Sequence, residues 1–235
     1  MKIQHLTFFF GLQFSCLIGF CNAQEISRFS LGFSATPIYS IGIITNDGNT
    51  PQEIADSYKE LEEGRIGFTS NITVAYRFNS KIELGTGICY HNIGIQTKKN
   101  DLVFASDPIL NFNQIRYRYI NHHISVPLEI VIHLNNKLFI SGSMNSMFNI
   151  FNHTVNVKYQ NDKRIERNSE IDQSTDYRFA NLNGKLGIGI SFFDSKNISL
   201  YLLPFGSINI FKISKDASLN RQMLMFGVEF GIKFN

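Results

Sequence analysis

Few side chains in this 235-residue chain have the type and spacing that catalysis or metal binding requires. The histidines include the adjacent pair His122 and His123. Neighbouring residues of a strand point to opposite faces, so these two cannot chelate one metal ion from a regular strand. No phosphate-binding loop, serine-hydrolase elbow or Cys/His metal spacing occurs in the sequence. We therefore expect no catalytic residue, no metal, no cofactor and no enzymatic activity.

Six charged residues share one face of the alternating segments described below, and the chemistry they offer is ion pairing. Closing eight strands into a barrel leaves an interior just wide enough for side chains to fill. Opposite charges enclosed there should pair, because an unpaired buried charge is expensive. We predict a charge network that fills the interior instead of an open pore, with Arg77 and Glu83 as the first candidate pair. The six residues are Arg77, Glu83, Glu129, Lys185, Glu229 and Lys233.

The element that must carry these residues is a long strand with two different faces. Between Ile120 and Leu134 every second residue is apolar except His122, and the residues between them are mostly polar. This period of two predicts one continuous strand. Soluble strands usually stop near five or six residues, whereas a tilted strand that crosses a bilayer needs roughly ten. Beyond residue 44 no apolar run is long enough for a helical span.

Eight such segments follow one another along the chain, joined alternately by tight turns and long polar stretches. The four long stretches hold 28 of the 41 charged residues, as expected of external loops opposite short periplasmic turns. The sequence therefore predicts an all-β fold, an eight-stranded antiparallel up-and-down transmembrane β-barrel. The segments are 28–45, 66–78, one from 82, 120–134, 138–151, 180–192, 198–211 and 224–234, and the long loops are 46–65, 98–118, 154–178 and 212–221.

Three local features within these segments are also predicted. Pro37 should bend the first segment or mark a bulge, because proline cannot donate to the hydrogen-bond ladder. The seventh segment should break register near Pro204. Residues 51–63 form either a short helix after Pro51 or a solvated acidic loop.

The chemistry of the second strand face distinguishes a membrane barrel from a soluble, lipocalin-like barrel. A water-exposed strand face should be rich in Lys, Glu, Asp and Thr. Here that face is mostly Gly, Ser, Asn and Ala, which suits a crowded lumen. The apolar face of the second, third, fourth, sixth and eighth segments carries no charged residue. This pattern indicates contact with outer-membrane lipid, where a mid-membrane Arg or Lys costs roughly 2–4 kcal/mol.

The first 23 residues have the composition of a secretory signal. Lys2 supplies the positive start, an apolar stretch runs from Phe8 to Phe20, and small residues precede the expected cleavage after Ala23. We expect residues 1–23 to be removed and residues 24–235 to form the exported barrel of a Gram-negative outer membrane. The net charge of +3 is too small to indicate nucleic acid as a partner.

Several short motifs resemble those of the outer-membrane β-barrel proteins of Bacteroidota, including the PorT-like group. The resemblance implies that the alternating C-terminal residues Phe230, Ile232 and Phe234 are the signal read by the barrel-assembly machinery. It also implies an association with the type IX secretion system. The motifs are the Tyr-x-x-Ile-Pro-Leu-like strand 119–130, the Ala23–Gln24 junction, the glycine-rich strand 184–189 and the end 230–234.

Three functions remain open. The first is a structural or interaction barrel whose external loops contact a protein partner, within a secretion or surface assembly. The second is a narrow channel for small solutes. The third is an enzyme that modifies lipid A, for which His122 near the external rim, with Ser70 on the same face, is the one hint. The balanced lumen charges favour the first function, and the lack of a catalytic constellation counts against the third.

Overall fold

The computed structural model describes residues 28–46, 51–102, 112–172, 177–195, 197–214 and 219–234. The predicted signal segment, residues 1–23, lies outside the described residues. Within them, ten strands and the helix α1 (Gln52–Leu61) are present, and no helix is long and apolar enough to span a bilayer. The strands are β1 (Phe29–Asn46), β2 (Glu62–Arg77), β3 (Ile82–Thr97), β4 (Asn100–Asp101), β5 (Gln114–His133), β6 (Leu138–Gln160), β7 (Lys163–Asp172), β8 (Ala180–Asp194), β9 (Ile198–Asn209) and β10 (Leu219–Phe234).

Eight of these strands close into a ring of antiparallel neighbours. The order is β1, β2, β3, β5, β6, β8, β9, β10, and β10 pairs again with β1 from Leu31 opposite Phe234 to Asn46 opposite Leu219. The short β4 and the strand β7 lie outside the ring, each paired with an extension of a ring strand. The predicted eight-stranded up-and-down barrel is therefore confirmed.

Asparagine side chains shape two of the tight turns at one end of the barrel. Asn79 Oδ1 accepts hydrogen bonds from the backbone N–H groups of Lys81 and Ile82, at 2.8 and 2.9 Å. Asn135 Oδ1 accepts in the same way from Lys137 and Leu138, also at 2.8 and 2.9 Å. Such Asx turns reverse the chain within a few residues, which explains why the sequence places asparagine there.

The outward face of the ring is an apolar belt and the inward face is mostly polar. Ile66 is 75% exposed and Leu186 65%, although both are large apolar side chains. Large exposed apolar surface of this extent marks contact with a non-aqueous environment. The inward face also holds an apolar layer that the sequence analysis did not predict. Its members are Ile38, Ile93, Ile95, Met147, Met223 and Met225.

The register between paired strands shifts at four places in the described residues, and none of these places is at a proline. The register is the same on both sides of Pro37, so no bulge forms there, and on both sides of Pro204, so the predicted break in register is wrong. At each proline the ladder to one neighbouring strand is interrupted, to β10 beside Pro37 and to β8 beside Pro204. Proline costs the ladder one donor without inserting a residue, which leaves the register intact. An unpredicted bulge instead lies in β6 at Ile150, since His122 pairs with Phe151 and His123 with Asn149.

All four predicted long loops contain helix or strand residues, and two of them depart most from the prediction. Residues 51–63 follow the helical alternative, as α1 begins directly after Pro51. The loop predicted over residues 154–178 is wrong for most of its length, because β6 continues to Gln160 and returns as β7. Asn161 and Asp162 join the two strands with φ of 48° and 65°. A two-residue turn with two positive φ values matches the twist of a hairpin, and Asn and Asp tolerate that conformation.

Candidate functional site

One cluster of lumen charges lies near the tight-turn end and centres on the buried Glu83 of β3. The Lys233 ammonium from β10 contacts Glu83 Oε1, and Arg77 Nη2 from β2 lies 3.4 Å from Glu83 Oε2. His133 Nε2 from β5 lies 3.7 Å from the same oxygen. Arg77 has 46% of its side chain exposed, whereas Glu83 has 5%. The buried Glu83 carboxylate therefore joins three ring strands besides its own.

A second cluster lies deeper in the lumen and centres on Lys185 of β8. Lys185 Nζ is 2.7 Å from Glu229 Oε2 of β10 and 4.0 Å from Glu129 Oε1 of β5. The Tyr201 hydroxyl donates to Glu229 Oε1 at 2.8 Å, and the Ser141 hydroxyl donates to Glu129. The ammonium is thus shared by two carboxylates, each with a hydroxyl donor of its own.

The structure brings all six sequence-predicted lumen charges into two separate ion-pair clusters. A cavity of about 310 Å³ lies on the tight-turn side and reaches Glu83, Glu129 and Tyr201. The next space along the lumen, beside Lys185 and Glu229, has a volume of only about 40 Å³. The ion pairs of the second cluster lie between these two spaces.

A histidine–serine hydrogen bond lies above the second cluster and was not found from the sequence. His91 Nε2 is 2.7 Å from Ser125 Oγ, and Cys89 Sγ is 4.0 Å from His91 Nδ1. This resembles the contact between a base and a nucleophile. All three side chains are buried, and the adjacent 40 Å³ space admits little more than water. The pair consequently satisfies two buried polar groups and has no room for a substrate.

The apolar layer defined above closes the lumen on the external side of these polar groups. Ile93 and Met147 are 0% exposed, and Tyr119 and Phe205 pack against the layer. Methionine side chains adapt to irregular spaces, which suits a layer contributed by several strands of a ring. The lumen is therefore blocked twice, by ion pairs and by apolar packing.

A second open pocket, of about 350 Å³, lies at the external mouth above the apolar layer. Arg221 Nη2 is 2.7 Å from Glu62 Oε1, and the Arg221 guanidinium lies 5.1 Å from the centre of the Tyr58 ring of α1. Tyr119 and Tyr177 also line the pocket. The Tyr177 hydroxyl donates to Asp172, and burial, followed by that carboxylate, raises the pKa of Tyr177 above its ordinary value.

His122, the one candidate for lipid chemistry, faces outward and contacts aromatic rings. Its ring stacks on Phe151 with centroids 4.0 Å apart, and its Nδ1 hydrogen-bonds to the Tyr90 hydroxyl. Within the described part of the chain its hydrogen-bond partner is thus Tyr90 and not Ser70. Over the same residues, no group of three or more His, Cys, Asp or Glu side chains could hold a metal ion.

The three residues predicted to form an assembly signal lie on the outward face of β10. Phe230 is exposed, Phe234 packs edge-on against Phe33 of β1 with ring centroids 6.2 Å apart, and Ile232 lies between them in the pairing with β1. Their recognition by an assembly machinery stays a prediction.

A closed ring of eight antiparallel strands, with an apolar belt outside and a filled lumen, defines the class of small outer-membrane β-barrels. The family model described as "Outer membrane protein beta-barrel domain" matches residues 22–208. The chain belongs to this family, and the family places it in the outer membrane.

Several solved structures of bacterial outer-membrane proteins match this chain over most of its length at low sequence identity. Neisserial surface protein A is 9% identical, with 88% of this chain and 96% of that chain covered and a TM-score of 0.40. Ail of Yersinia pestis is 12% identical, with 87% and 97% covered and a TM-score of 0.35. OprG from Pseudomonas aeruginosa is 8% identical, with 89% and 98% covered and a TM-score of 0.33. No curated protein sequence matches this chain.

Proposed function

We propose that this protein is a non-conducting outer-membrane barrel that binds a protein partner through its external segments. The observation that carries this proposal is the apolar layer, because it separates the 310 Å³ cavity at one end of the lumen from the 350 Å³ pocket at the other. A solute would have to displace buried Ile and Met side chains and then buried ion pairs. Both obstacles argue against the alternative of a narrow channel.

The external hairpin formed by the end of β6 and by β7 supports the interaction role. Almost every residue of β7 is exposed, and β7 is the last strand in the sheet order, so one of its edges has no partner strand among the described residues. A free edge can accept an added strand from another protein. Lys163, Arg164, Glu166 and Arg167 place charges of both signs along this strand, which discourages indiscriminate pairing.

Conductance measurements distinguish the interaction barrel from the channel. We expect the purified full-length protein to insert into planar bilayers without stepwise current, while a porin in the same bilayers gives clear steps. Folding before insertion is checked by the change in SDS-gel mobility between unheated and boiled samples. Reproducible current steps from the folded protein would contradict the proposal.

Site-specific photo-crosslinking in intact cells tests the partner. A crosslinking residue in place of Ile165, exposed on β7, should give a discrete higher-mass product. The same residue in place of Leu134, exposed at a tight turn, is the matched control and should not give that product. Equal products from both positions, or none from Ile165, would contradict a partner at the hairpin.

The PorT-like resemblance makes the proposal more specific, because it connects the partner to secretion. Identification of the product crosslinked from residue 165 as a secretion component would support that version. We also expect the mass of lipid A to stay unchanged when the protein is overexpressed. A new lipid A species that disappears in His122→Ala would instead support the lipid-modifying enzyme.

A further inference from the structure

Four arginines gather on the outward surface of the barrel at its external end. Arg116 and Arg118 belong to β5 and share the outward face with Ile124. Arg116 pairs across the sheet with Val157 of β6, which pairs in turn with Arg167 of β7. Arg65 of β2 reaches the same surface, where its Nη2 donates to Asn92 Oδ1 at 2.8 Å. We call Arg65, Arg116, Arg118 and Arg167 the arginine cluster.

The β6 bulge at Ile150 places apolar residues of β6 beneath this cluster. Beyond the bulge the outward residues of β6 are the odd-numbered ones, which turns Val155 and Val157 outward. Both valines are nevertheless fully buried, together with Ile120 and Tyr159. The arginine side chains therefore lie over these buried apolar residues and not on a fully hydrated strand surface.

The positive charge of the cluster is poorly compensated within the protein. Glu63 is the one acid among the described residues that pairs with the cluster, at 2.9 Å from Arg116. Arg118 and Arg167 lie close enough to act electrostatically on Arg65. Across the described ranges, three buried nitrogens of the cluster have no hydrogen-bond partner: Arg65 Nη1, Arg116 Nε and Arg118 Nε. Buried donors without partners, gathered under like charges, indicate an anion that completes the site.

The height of the cluster on the barrel identifies which anion is within reach. Directly below it on the same face are His122, stacked on Phe151, and the exposed Ile124 of the apolar belt. Arg118 lies four residues along β5 from His122, about 14 Å at the rise of a strand and less in height because the strand is tilted. Aromatic rings mark the boundary between hydrocarbon and headgroups. The cluster therefore lies at the level of lipid phosphates.

We propose that the arginine cluster binds the phosphate groups of an outer-leaflet lipid, whose acyl chains lie against the apolar belt below. Arginine suits this role because its planar fork can bind phosphate oxygens in pairs. The apolar surface around His122 and Phe151 would orient the lipid. This site does not depend on the proposed protein partner.

The primary test uses the unaltered full-length protein in detergent, with lipid A carrying both phosphates as the probe. We expect native mass spectrometry to show one retained lipid A molecule, and at least about tenfold weaker retention of the same lipid A without its phosphates. Millimolar inorganic phosphate should fail to displace the lipid. Equal retention of the two lipids would overturn the proposal, and so would displacement by phosphate, which would indicate a free-phosphate site.

Charge variants locate the site. The double variant Arg65→Gln/Arg118→Gln should lose at least about tenfold in lipid A affinity, because it removes two of the four cations. Arg65→Lys/Arg118→Lys should fall between it and the wild type, since lysine keeps the charge and loses the fork. Lys81→Gln/Lys137→Gln, at the tight-turn end, removes the same charge and should bind normally. Folding of each variant is checked by heat-dependent gel mobility, and wild-type affinity in a folded Arg65→Gln/Arg118→Gln variant would contradict the assignment.

Discussion

Lys185 lies between the carboxylates of Glu129 and Glu229, and we expect it to be the most sensitive lumen residue. In Lys185→Met, Glu129 and Glu229 would face each other without a counter-charge. Breaking a buried pair by removing one partner typically costs about 3–5 kcal/mol. We expect a clear fall in the temperature at which the heat-resistant gel band disappears.

A second substitution separates lost charge from lost packing at this site. Lys185→Met/Glu229→Gln removes one carboxylate as well and should recover part of the stability, because the stability effects of substitutions at interacting residues are not additive. Glu166→Gln, which removes an exposed carboxylate paired with Lys158 on the hairpin, is the matched control and should leave the barrel unchanged. If the heat-resistant band of Lys185→Met disappeared at the same temperature as that of the wild type, the second cluster would not stabilise the barrel.

Glu83 and Arg77 form a pair in which the two partners should matter unequally. Arg77 is nearly half exposed, so Arg77→Ala should cost at most about 1 kcal/mol. Glu83→Gln removes the buried carboxylate that Lys233 and His133 also contact, and should destabilise the barrel severalfold more. The same gel-shift melting experiment measures both variants. Equal losses in the two variants would show that exposure does not set the importance of these residues.

At the residue scale, the sequence predicts which charges face the lumen but not which of them meet. Alternation assigns each charged residue to a face, because the side-chain period of a strand is two. The contact between Lys233 and Glu83 depends on ring closure, which joins residues 150 positions apart. The His91–Ser125 contact likewise depends on the register between β3 and β5. The sequence alone does not give the strand register, so it predicts neither contact.

At the element scale, the β6 bulge at Ile150 determines which way the external hairpin faces. Deleting Ile150 would shift the pairing of everything beyond it by one residue and turn Val155 and Val157 toward the lumen side. We expect this deletion variant to lose the heat-resistant band or to assemble poorly. Ile150→Val keeps the inserted residue and should fold normally. A deletion variant as stable as the wild type would mean that the bulge does not fix the register.

The external hairpin itself should be dispensable for the barrel. Replacing residues 156–168 by a short turn removes most of β7, which lies outside the ring, and the end of β6, which pairs with the first residues of β5 and with β7. We therefore expect the shortened protein to keep its heat-dependent gel mobility. Loss of the folded band would show that the hairpin supports the ring.

The elements that the sequence predicts well are those that a membrane constrains on one face. The ring strands alternate because one face meets lipid, and the tight turns are marked by Asn79 and Asn135. The hairpin is outside that constraint, and the exposed β7 lacks an apolar face that would reveal a strand. The apolar layer was missed for a related reason, because Ile93 and Met147 lie on a face expected to be polar.

At the scale of the whole molecule, the seam between β1 and β10 completes the ring, and the predicted assembly signal lies on it. Phe230→Ala/Phe234→Ala should lower the amount of folded barrel in the outer membrane of cells, while refolding of the purified chain into detergent changes little. Phe192→Ala, an exposed aromatic residue on β8, is the control and should not reduce assembly in cells. Parallel losses in cells and in detergent would mean that these residues act through packing, including the Phe33–Phe234 contact, and not as a signal.

The ring wall has very unequal height around its circumference. β6 has 23 residues and β5 has 20, whereas β9 has 12. Eleven residues of strand correspond to about 35 Å along the strand direction, so the rim is oblique and rises on the β5–β6 side. A large external molecule, such as an antibody or a phage tail, would contact the β5–β6 side first and could bind there without entering the mouth of the barrel.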